Sequence, residues 1–152
     1  MILSRTVTIT GTRSTGHRAL TQYADLFATY LRPFAAEAHF YIGGAAGIDS
    51  LALLWLAGNT SADLTVVVPG TVEQQPAGAR QAIARVRDRI TEIVELGAPE
   101  LRSSAYHARN RWMVDHSGMT IGFPRDGELA SGTWQTLDYT RDQAKPHLVV
   151  PV

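Results

Sequence analysis

The chain has 152 residues, close to the size of one domain, and 45% of them are hydrophobic, so it can bury a core. Its 14 basic and 14 acidic residues give a formal net charge of zero, which offers no whole-chain case for non-specific nucleic-acid binding. The absence of cysteine excludes disulfides, thiolate metal sites and a cysteine nucleophile.

The N-terminal stretch MILSRTVTIT lacks the apolar core of a signal peptide and is typical of a strand. No apolar run reaches the length of about 18 residues that a membrane-spanning helix needs. We therefore expect no membrane span and, by default, a cytoplasmic protein.

Short β-branched runs alternate with longer amphipathic runs along the rest of the chain. The predicted strands are residues 6–10, 39–42, 63–68, 91–96 (an edge strand), 119–123 and 147–152. The predicted helices are residues 17–34, where Pro33 limits the helix, 48–57, 79–90, 106–116 and 131–143. This alternation predicts one three-layer α/β domain over residues 1–152, with a mostly parallel sheet of about six strands and helices on both faces.

Four loops follow predicted strands or open a predicted helix, and all should meet at one edge of the sheet. Ligands bind beyond the carboxyl ends of the strands in such sheets, and free N–H groups at a helix start favour anions. Glycines that serve only tight turns are the alternative at each loop; together the loops favour a ligand. The predicted binding residues are Gly11, Thr12, Arg13 and Ser14; Gly43, Gly44, Ala45, Gly47, Ile48 and Asp49; Pro69 and Gly70; and Ser131, Gly132 and Thr133.

The spacing of these glycines excludes two common phosphate-binding motifs. GGAAGID is not GxGxxG and follows the second strand, and the chain has no GxxxxGK[ST]. No lysine precedes Lys145. Phosphate binding would therefore use arginines and backbone amides.

The predicted helix 106–116 places Tyr106, Arg109, Asn110 and Met113 on one face. Arg109 and Asn110 could direct their donors at a phosphate or a sugar. An arginine that bridges to Asp115 or to a neighbouring loop is the alternative.

Asp49 lies in the first turn of the predicted helix 48–57. There it could accept bonds from the free N–H groups of the helix start, or from a ligand hydroxyl such as that of a ribose. The five histidines show neither HxH nor HExxH spacing, so we expect no metal site and assign no cofactor.

The motif order GTRS, GGAAGIDSLA, VVVPG, ARNRWMVDHS and ASGTWQTLDYTRDQAKPHLVV resembles the Rossmann-like domain of the DNA-processing protein DprA (Smf) family. It is also similar to the LOG phosphoribohydrolases, and both families are grouped in the SLOG superfamily. The resemblance covers nearly the whole chain. It implies a Rossmann-like fold, a nucleotide-related ligand and a homodimer.

The resemblance also bears on catalysis. LOG enzymes use an arginine, which Arg109 matches by position, and a glutamate, where this chain has Thr136 preceded by Gln135. Neither Thr136 nor Gln135 is a carboxylate, so neither can serve as a general base. Glu128 could substitute if its loop, residues 124–129, folds inward as a lid rather than lying on the surface.

Three functions follow as hypotheses. The first is binding of a nucleotide or nucleotide-derived small molecule; whether the chain is an enzyme is left open, with Arg109 and Glu128 as the candidate catalytic residues. The second is LOG-like hydrolysis of the N-glycosidic bond of a nucleoside monophosphate. The third is DprA-like binding of single-stranded DNA, for which a local patch would draw on Arg13, Arg109, Arg111, Arg125 and Arg141.

Overall fold

A computed structural model describes residues 5–152, and residues 1–4 of the strand-like stretch MILSRTVTIT lie outside the described part. The strands are β1 (Thr6–Gly11), β2 (His39–Gly43), β3 (Asp63–Val68), β4 (Glu92–Glu95), β5 (Met119–Phe123) and β6 (His147–Val149). The helices are α1 (Leu20–Tyr30), α2 (Arg32–Ala35), α3 (Ile48–Asn59), α4 (Ala77–Arg85), α5 (Ser103–Asp115) and α6 (Gly132–Asp142). The prediction of a parallel α/β fold is confirmed.

The strands form one parallel sheet in the order β4-β3-β2-β1-β5-β6. The chain moves outward from β1 to β4, and α5 then carries it back past β1 to β5. This reversal creates a topological switch point between the carboxyl ends of β1 and β5, where open α/β sheets bind ligands. Gly11 pairs with Phe123 at this point, and the Thr12 N–H donates to the Phe123 carbonyl at 3.0 Å.

One face of the sheet carries the main apolar core, which α1 to α4 cover. Phe27 of α1 packs edge-on against Phe123, with ring centroids 5.4 Å apart. Alternate residues of four strands point into this core and are fully buried: Val7, Ile9, Phe40, Ile42, Leu64, Val66, Ile121 and Phe123. Burial of this face explains the apolar, β-branched character of the strands.

The opposite face is more polar and lies under α5 and α6. Thr8 and Thr120 are fully buried there, and their hydroxyls bond to Ser117 Oγ at 2.7 Å and to Thr140 Oγ1 at 2.8 Å. These partners offset the cost of burying the hydroxyls. Gly122 lets α6 approach, because a Cβ atom there would lie 2.7 Å from Cδ1 of Leu137.

Two predicted helices are shorter or divided in the structure. Pro33 falls in the first turn of α2, so the predicted helix 17–34 becomes α1 followed by the short α2. The predicted helix 79–90 ends at Arg85, and a 3₁₀ turn follows at Arg87–Arg89. Arg89 Nη2 donates to the carbonyls of Thr60 and Ala62, both at 3.0 Å, which ties this turn to the end of α3.

The last strand also differs from its prediction: β6 ends at Val149, whereas the sequence predicted residues 147–152. The segment beyond β6 is bonded to the loop that follows β5, because the Val152 N–H donates to Pro124 O at 2.9 Å. Within residues 5–152, every helix is too short or too polar to cross a bilayer.

Candidate binding site at the switch point

A cavity of about 480 Å³, the switch-point cavity, opens at the carboxyl ends of the strands. Its volume lies within the range of about 300–1,000 Å³ that is typical of small-molecule sites. The loops after β1 and β2, the helix α5 and the start of α6 form its walls. The structure brings these predicted residues into its lining: Gly11, Thr12, Arg13, Ser14, Ala45, Asp49, Arg109, Asn110, Glu128, Ser131, Gly132 and Thr133.

Six predicted binding residues do not line the cavity: Gly43, Gly44, Gly47, Ile48, Pro69 and Gly70. The third predicted loop is instead tied to the segment after β4, because Ala98 N–H donates to Pro69 O at 2.9 Å and Gly97 N–H donates to Gly70 O at 3.3 Å. Contact between these six residues and a ligand stays a prediction.

Gly43 and Gly44 serve close packing in the structure. A Cβ atom at Gly43 would lie 2.5 Å from Asp49 Oδ2 and 2.6 Å from Arg109 Nη1, so both side chains converge on the bare glycine backbone. A Cβ atom at Gly44 would collide with Val68 of the neighbouring strand. Because they have no Cβ atom, the two glycines allow the side chains at the base of the cavity to pack closely against β2.

The loop before α3 uses its amides within the protein. Gly47 adopts a φ of +77° and packs against the backbone of Thr12 and Arg13. Ile48 N–H donates to Thr12 O at 3.0 Å. Ala45 N–H donates to the side chain of Asp49 at 3.3 Å. These bonds fix the loop after β2 to the loop after β1.

Arg109 lies at the base of the cavity and is only 3% exposed. Its Nε donates to Asn110 Oδ1 at 2.8 Å, and its Nη1 donates to the carbonyl of Val67 at 3.2 Å. Nη2 makes no hydrogen bond with residues 5–152 and is not sealed from solvent, and Arg109 lines the cavity. The guanidinium is thus held rigidly with one donor edge left for a ligand.

Asp49 lies beside Arg109 and is 7% exposed. Its Oδ2 accepts the Ala45 N–H, and Oδ1 has no hydrogen-bond partner in the described part of the chain, yet remains accessible. Asp49 thus holds the amide of the loop before α3 and lines the cavity, and its contact with a ligand hydroxyl stays a prediction.

Burial dominates the electrostatics of this pair. It raises the pKa of Asp49 to about 7, against the opposing effects of the Arg109 guanidinium, the Ala45 N–H and Arg13. Burial also lowers the pKa of Arg109 from its ordinary value, and the Asp49 carboxylate opposes that shift. The base of the cavity is therefore more positive when Asp49 holds its proton.

Arg13 and Tyr106 form the next layer of the wall. The guanidinium carbon of Arg13 lies 4.3 Å from the Tyr106 ring centroid, and that of Arg109 lies 5.7 Å from it. Both guanidinium groups therefore lie over the Tyr106 ring, within the distance of about 6 Å at which cation–π attraction acts. Arg13 is exposed, so its charge is available at the mouth of the cavity.

The start of α6 supplies backbone donors. Ser131 is the N-cap residue, and its Oγ accepts the Trp134 N–H at 3.3 Å. Gly132 and Thr133 follow in the first turn and line the cavity. The positive end of the helix dipole adds to the anion-binding character of this wall.

The loop 124–129 is anchored rather than free along its length. Asp126 N–H donates to Val152 O at 2.8 Å, and Arg125 Nη1 donates to Ser14 Oγ at 3.1 Å. Gly127 turns the chain with a φ of +84°. The turn brings the exposed Glu128 into the cavity lining.

Six further residues line the cavity that were not among the predicted binding residues: Thr10, Leu101, Ser103, Tyr106, His107 and Met113. Tyr106 and Met113 share the helical face of Arg109, so the spacing within 106–113 could have identified them. Leu101 and Ser103 could not be found in this way, because their position depends on how the chain returns from β4.

The tryptophans of α5 and α6 lie away from the cavity. Trp112 stacks on His116 with centroids 3.7 Å apart, and neither Trp112 nor Trp134 lines the cavity. Among residues 5–152, no group of three or more metal-ligating side chains is close enough to hold an ion.

The sheet order and the cavity together define a Rossmann-like α/β fold with a ligand-sized site at its switch point. Two solved structures share this fold. DNA processing protein A (DprA) from Streptococcus pneumoniae has a TM-score of 0.74 and 18% sequence identity, covering 97% of this chain and 50% of its own. DNA processing protein A from Helicobacter pylori, whose structure is described by its single-stranded DNA binding mode, has a TM-score of 0.69 and 21% identity, covering 97% and 65%.

The chain therefore spans between half and two thirds of the DprA chains with which it was compared. The predicted resemblance to the Rossmann-like domain of DprA is confirmed at the level of the fold. No protein-family model and no curated protein matches the chain.

Proposed function

We propose that this chain binds a nucleotide or nucleotide-derived small molecule in the switch-point cavity. The observation that carries the proposal is the pair of unpartnered polar atoms at its base, Arg109 Nη2 and Asp49 Oδ1. A phosphate can accept from the donors of a guanidinium. A ribose hydroxyl can donate to a carboxylate oxygen. One cavity therefore offers partners for both halves of a sugar phosphate.

The charge around the cavity supports an anionic ligand. Arg13 and Arg109 line it, Arg125 reaches its rim through Ser14, and the first turn of α6 adds backbone donors. Asp49, whose pKa is raised to about 7, and Glu128 are the acidic residues of the lining.

Isothermal titration calorimetry against AMP, ADP, ADP-ribose and NAD tests the proposal. We expect binding of at least one of these ligands, and weaker binding by Arg13→Ala, because this exposed arginine contributes charge at the mouth. Arg80→Ala is the matched control, since Arg80 is an exposed arginine on α4 away from the cavity. Absence of heat with all four ligands would contradict the proposal.

Binding of single-stranded DNA is a second candidate function. The fold shared with DprA supports it, as do the arginines near the cavity: Arg13 and Arg109 line it, Arg125 bonds to Ser14 at its rim, and Arg111 lines the neighbouring groove between α5 and α6. Arg141 is turned instead toward Asp138 and Asp142, at 3.6 and 3.9 Å.

Fluorescence anisotropy with a labelled oligothymidylate over a salt series tests this candidate. Each phosphate that a cation neutralises contributes a slope of about −0.7 in log K against log salt. Arg13→Ala and Arg125→Ala should each reduce the slope, whereas Arg80→Ala should not. No binding at low salt would exclude the candidate.

Hydrolysis of a nucleoside monophosphate has less support, because this chain lacks the LOG glutamate. Thr136, at the position of the LOG glutamate, is 2% exposed and donates its hydroxyl proton to Gly132 O at 2.8 Å. Glu128 is the carboxylate that reaches the cavity from the loop 124–129. We expect AMP to be recovered intact after incubation; release of adenine that Glu128→Gln abolishes would instead establish a hydrolase.

A further inference from the structure

We propose that the groove between α5 and α6, the interhelical groove, is a second subsite that takes a nucleobase carrying an amino group. This proposal rests on the proposed function, because the subsite would extend the switch-point cavity. The ligand would then be a two-part molecule of dinucleotide type, with one sugar phosphate in the cavity and one base in the groove.

The two spaces are adjacent. The interhelical groove has a volume of about 250 Å³, and it shares His107 and Asn110 with the switch-point cavity. Its volume is below the range of about 300–1,000 Å³ expected for an independent small-molecule site. The groove is therefore better suited to hold one end of a ligand whose other end is bound in the switch-point cavity.

Asn110 forms the ridge between the two spaces. Its Oδ1 accepts the Arg109 Nε–H at 2.8 Å, which fixes the amide plane. Its Nδ2 makes no hydrogen bond with residues 5–152. Asn110 is thus a fixed polar group whose Nδ2 can donate to a phosphate or ribose that links the two parts of the ligand.

The α6 wall of the groove is rich in acceptors. Gln135, Asp138 and Asp142 line it, and all three are exposed. The side chain of Gln135 makes no hydrogen bond in the described chain, and Asp138 is held only by a surface ion pair with Arg141 at 3.6 Å. Such surface pairs contribute little, so the carboxylate remains available.

The groove also offers two flat surfaces, one from each helix: Arg111 of α5 and Tyr139 of α6. The Arg111 guanidinium carbon lies 5.6 Å from the Tyr139 ring centroid, and the Tyr139 hydroxyl donates to Asp115 Oδ1 at 2.7 Å. That bond orients the ring. Aromatic rings and guanidinium planes are the surfaces on which nucleobases stack.

The charges distinguish the two subsites. Arginines and helix-start amides make the switch-point cavity suited to phosphate, whereas the groove sets the two carboxylates of Asp138 and Asp142 against the single guanidinium of Arg111 and is less suited to a second phosphate. Carboxylate and amide oxygens accept from exocyclic amino groups, as Asp, Glu, Asn and Gln do when they read base edges. The geometry thus favours an uncharged, amino-bearing base in the groove.

Calorimetric titration with two matched ligand pairs tests the inference. AMP and IMP, which fit the switch-point cavity alone, differ only at the amino position. NAD and its deaminated analogue, nicotinamide hypoxanthine dinucleotide, differ at the same position but can reach both subsites. We expect NAD to bind about tenfold more tightly than its analogue, a difference of about 1.4 kcal/mol, while AMP and IMP bind alike.

Variants locate the effect. Gln135→Ala and Asp138→Ala should each weaken NAD binding by a similar factor and leave AMP binding unchanged. Gln143→Ala is the control, since Gln143 is exposed at the end of α6 and does not line the groove.

The outcomes separate the two proposals. If AMP binds but NAD binds no more tightly than its analogue, or if the groove variants bind NAD normally, the second subsite is wrong and the proposed function stands. If neither AMP nor NAD binds, both proposals fail.

Discussion

Burial raises the pKa of the Asp49 carboxyl group. The other charged or titratable groups around the cavity are Arg109, Arg13, Tyr106, His107 and Glu128. Its pKa is about 7 in the folded chain, against an ordinary value of 3.8. Between these values the folded chain holds a proton that the unfolded chain has released. Asp49 therefore contributes stability that is fully present below pH 3.8 and is lost as the pH rises through about 7.

Asp49→Asn should remove this contribution, because an amide cannot titrate but can still accept the Ala45 N–H. We expect the difference in unfolding free energy between the wild type and Asp49→Asn to change between pH 5 and pH 8, with the wild type losing more. Urea unfolding at both pH values measures it. An identical pH response in the two proteins would show that Asp49 is ionised throughout.

Gly43 is closely packed against the side chains of Asp49 and Arg109. Gly43→Ala would push a Cβ atom into Asp49 and Arg109, and overpacking of this kind costs about 1–3 kcal/mol. Gly58→Ala is the matched control: its Cβ would meet nothing within 4 Å, and helix propensity predicts a gain of about 0.5–1 kcal/mol. Denaturant unfolding of both variants checks the prediction, and equal stabilities would refute the packing role of Gly43.

At the scale of elements, α6 depends on its first turn. Ser131 caps the helix through the Trp134 N–H, so Ser131→Ala should cost about 0.5–2 kcal/mol. Thermal unfolding measures the loss. A Ser131→Asp variant, which keeps an acceptor at the cap, should restore most of the stability, and failure to do so would show that the cap is not the cause.

The sequence predicted the number, type and order of most elements along the chain, because β-branched runs and helical periodicity are local signals. It failed where a local break mattered, as at Pro33 and at Arg85. The sequence also predicted ligand binding by GGAAGID; in the structure Gly43 and Gly44 provide close packing and Ala45 and Asp49 line the cavity, and ligand contact stays a prediction. A glycine that admits a neighbouring side chain cannot be distinguished from one that admits a ligand until the neighbours are known.

At the scale of the whole molecule, the strand order decides where chemistry can occur. Order along the chain does not reveal that β5 returns to lie beside β1. That return brings Arg109 of α5 against Asp49 of α3 and places α5 next to α6. The interhelical groove had no signal in the sequence, because its two walls lie on separate helices whose contact depends on this return.

The resemblance to the DprA and LOG families also implies a homodimer, and this stays a prediction. Sedimentation velocity over a range of micromolar concentrations should show a species of twice the chain mass of 16.5 kDa. A monomer throughout that range, with nucleotide present and absent, would contradict it.

The central claim is that Arg109 and Arg13 hold the phosphate of a nucleotide in the switch-point cavity. The most direct test is calorimetric comparison of AMP with adenosine. We predict that AMP binds the wild type at least about tenfold more tightly, because hydrogen bonds to charged groups contribute about 1.5–3 kcal/mol. The advantage should shrink in Arg13→Ala and persist in Arg80→Ala; equal affinities for AMP and adenosine, or no binding of either, would contradict the claim.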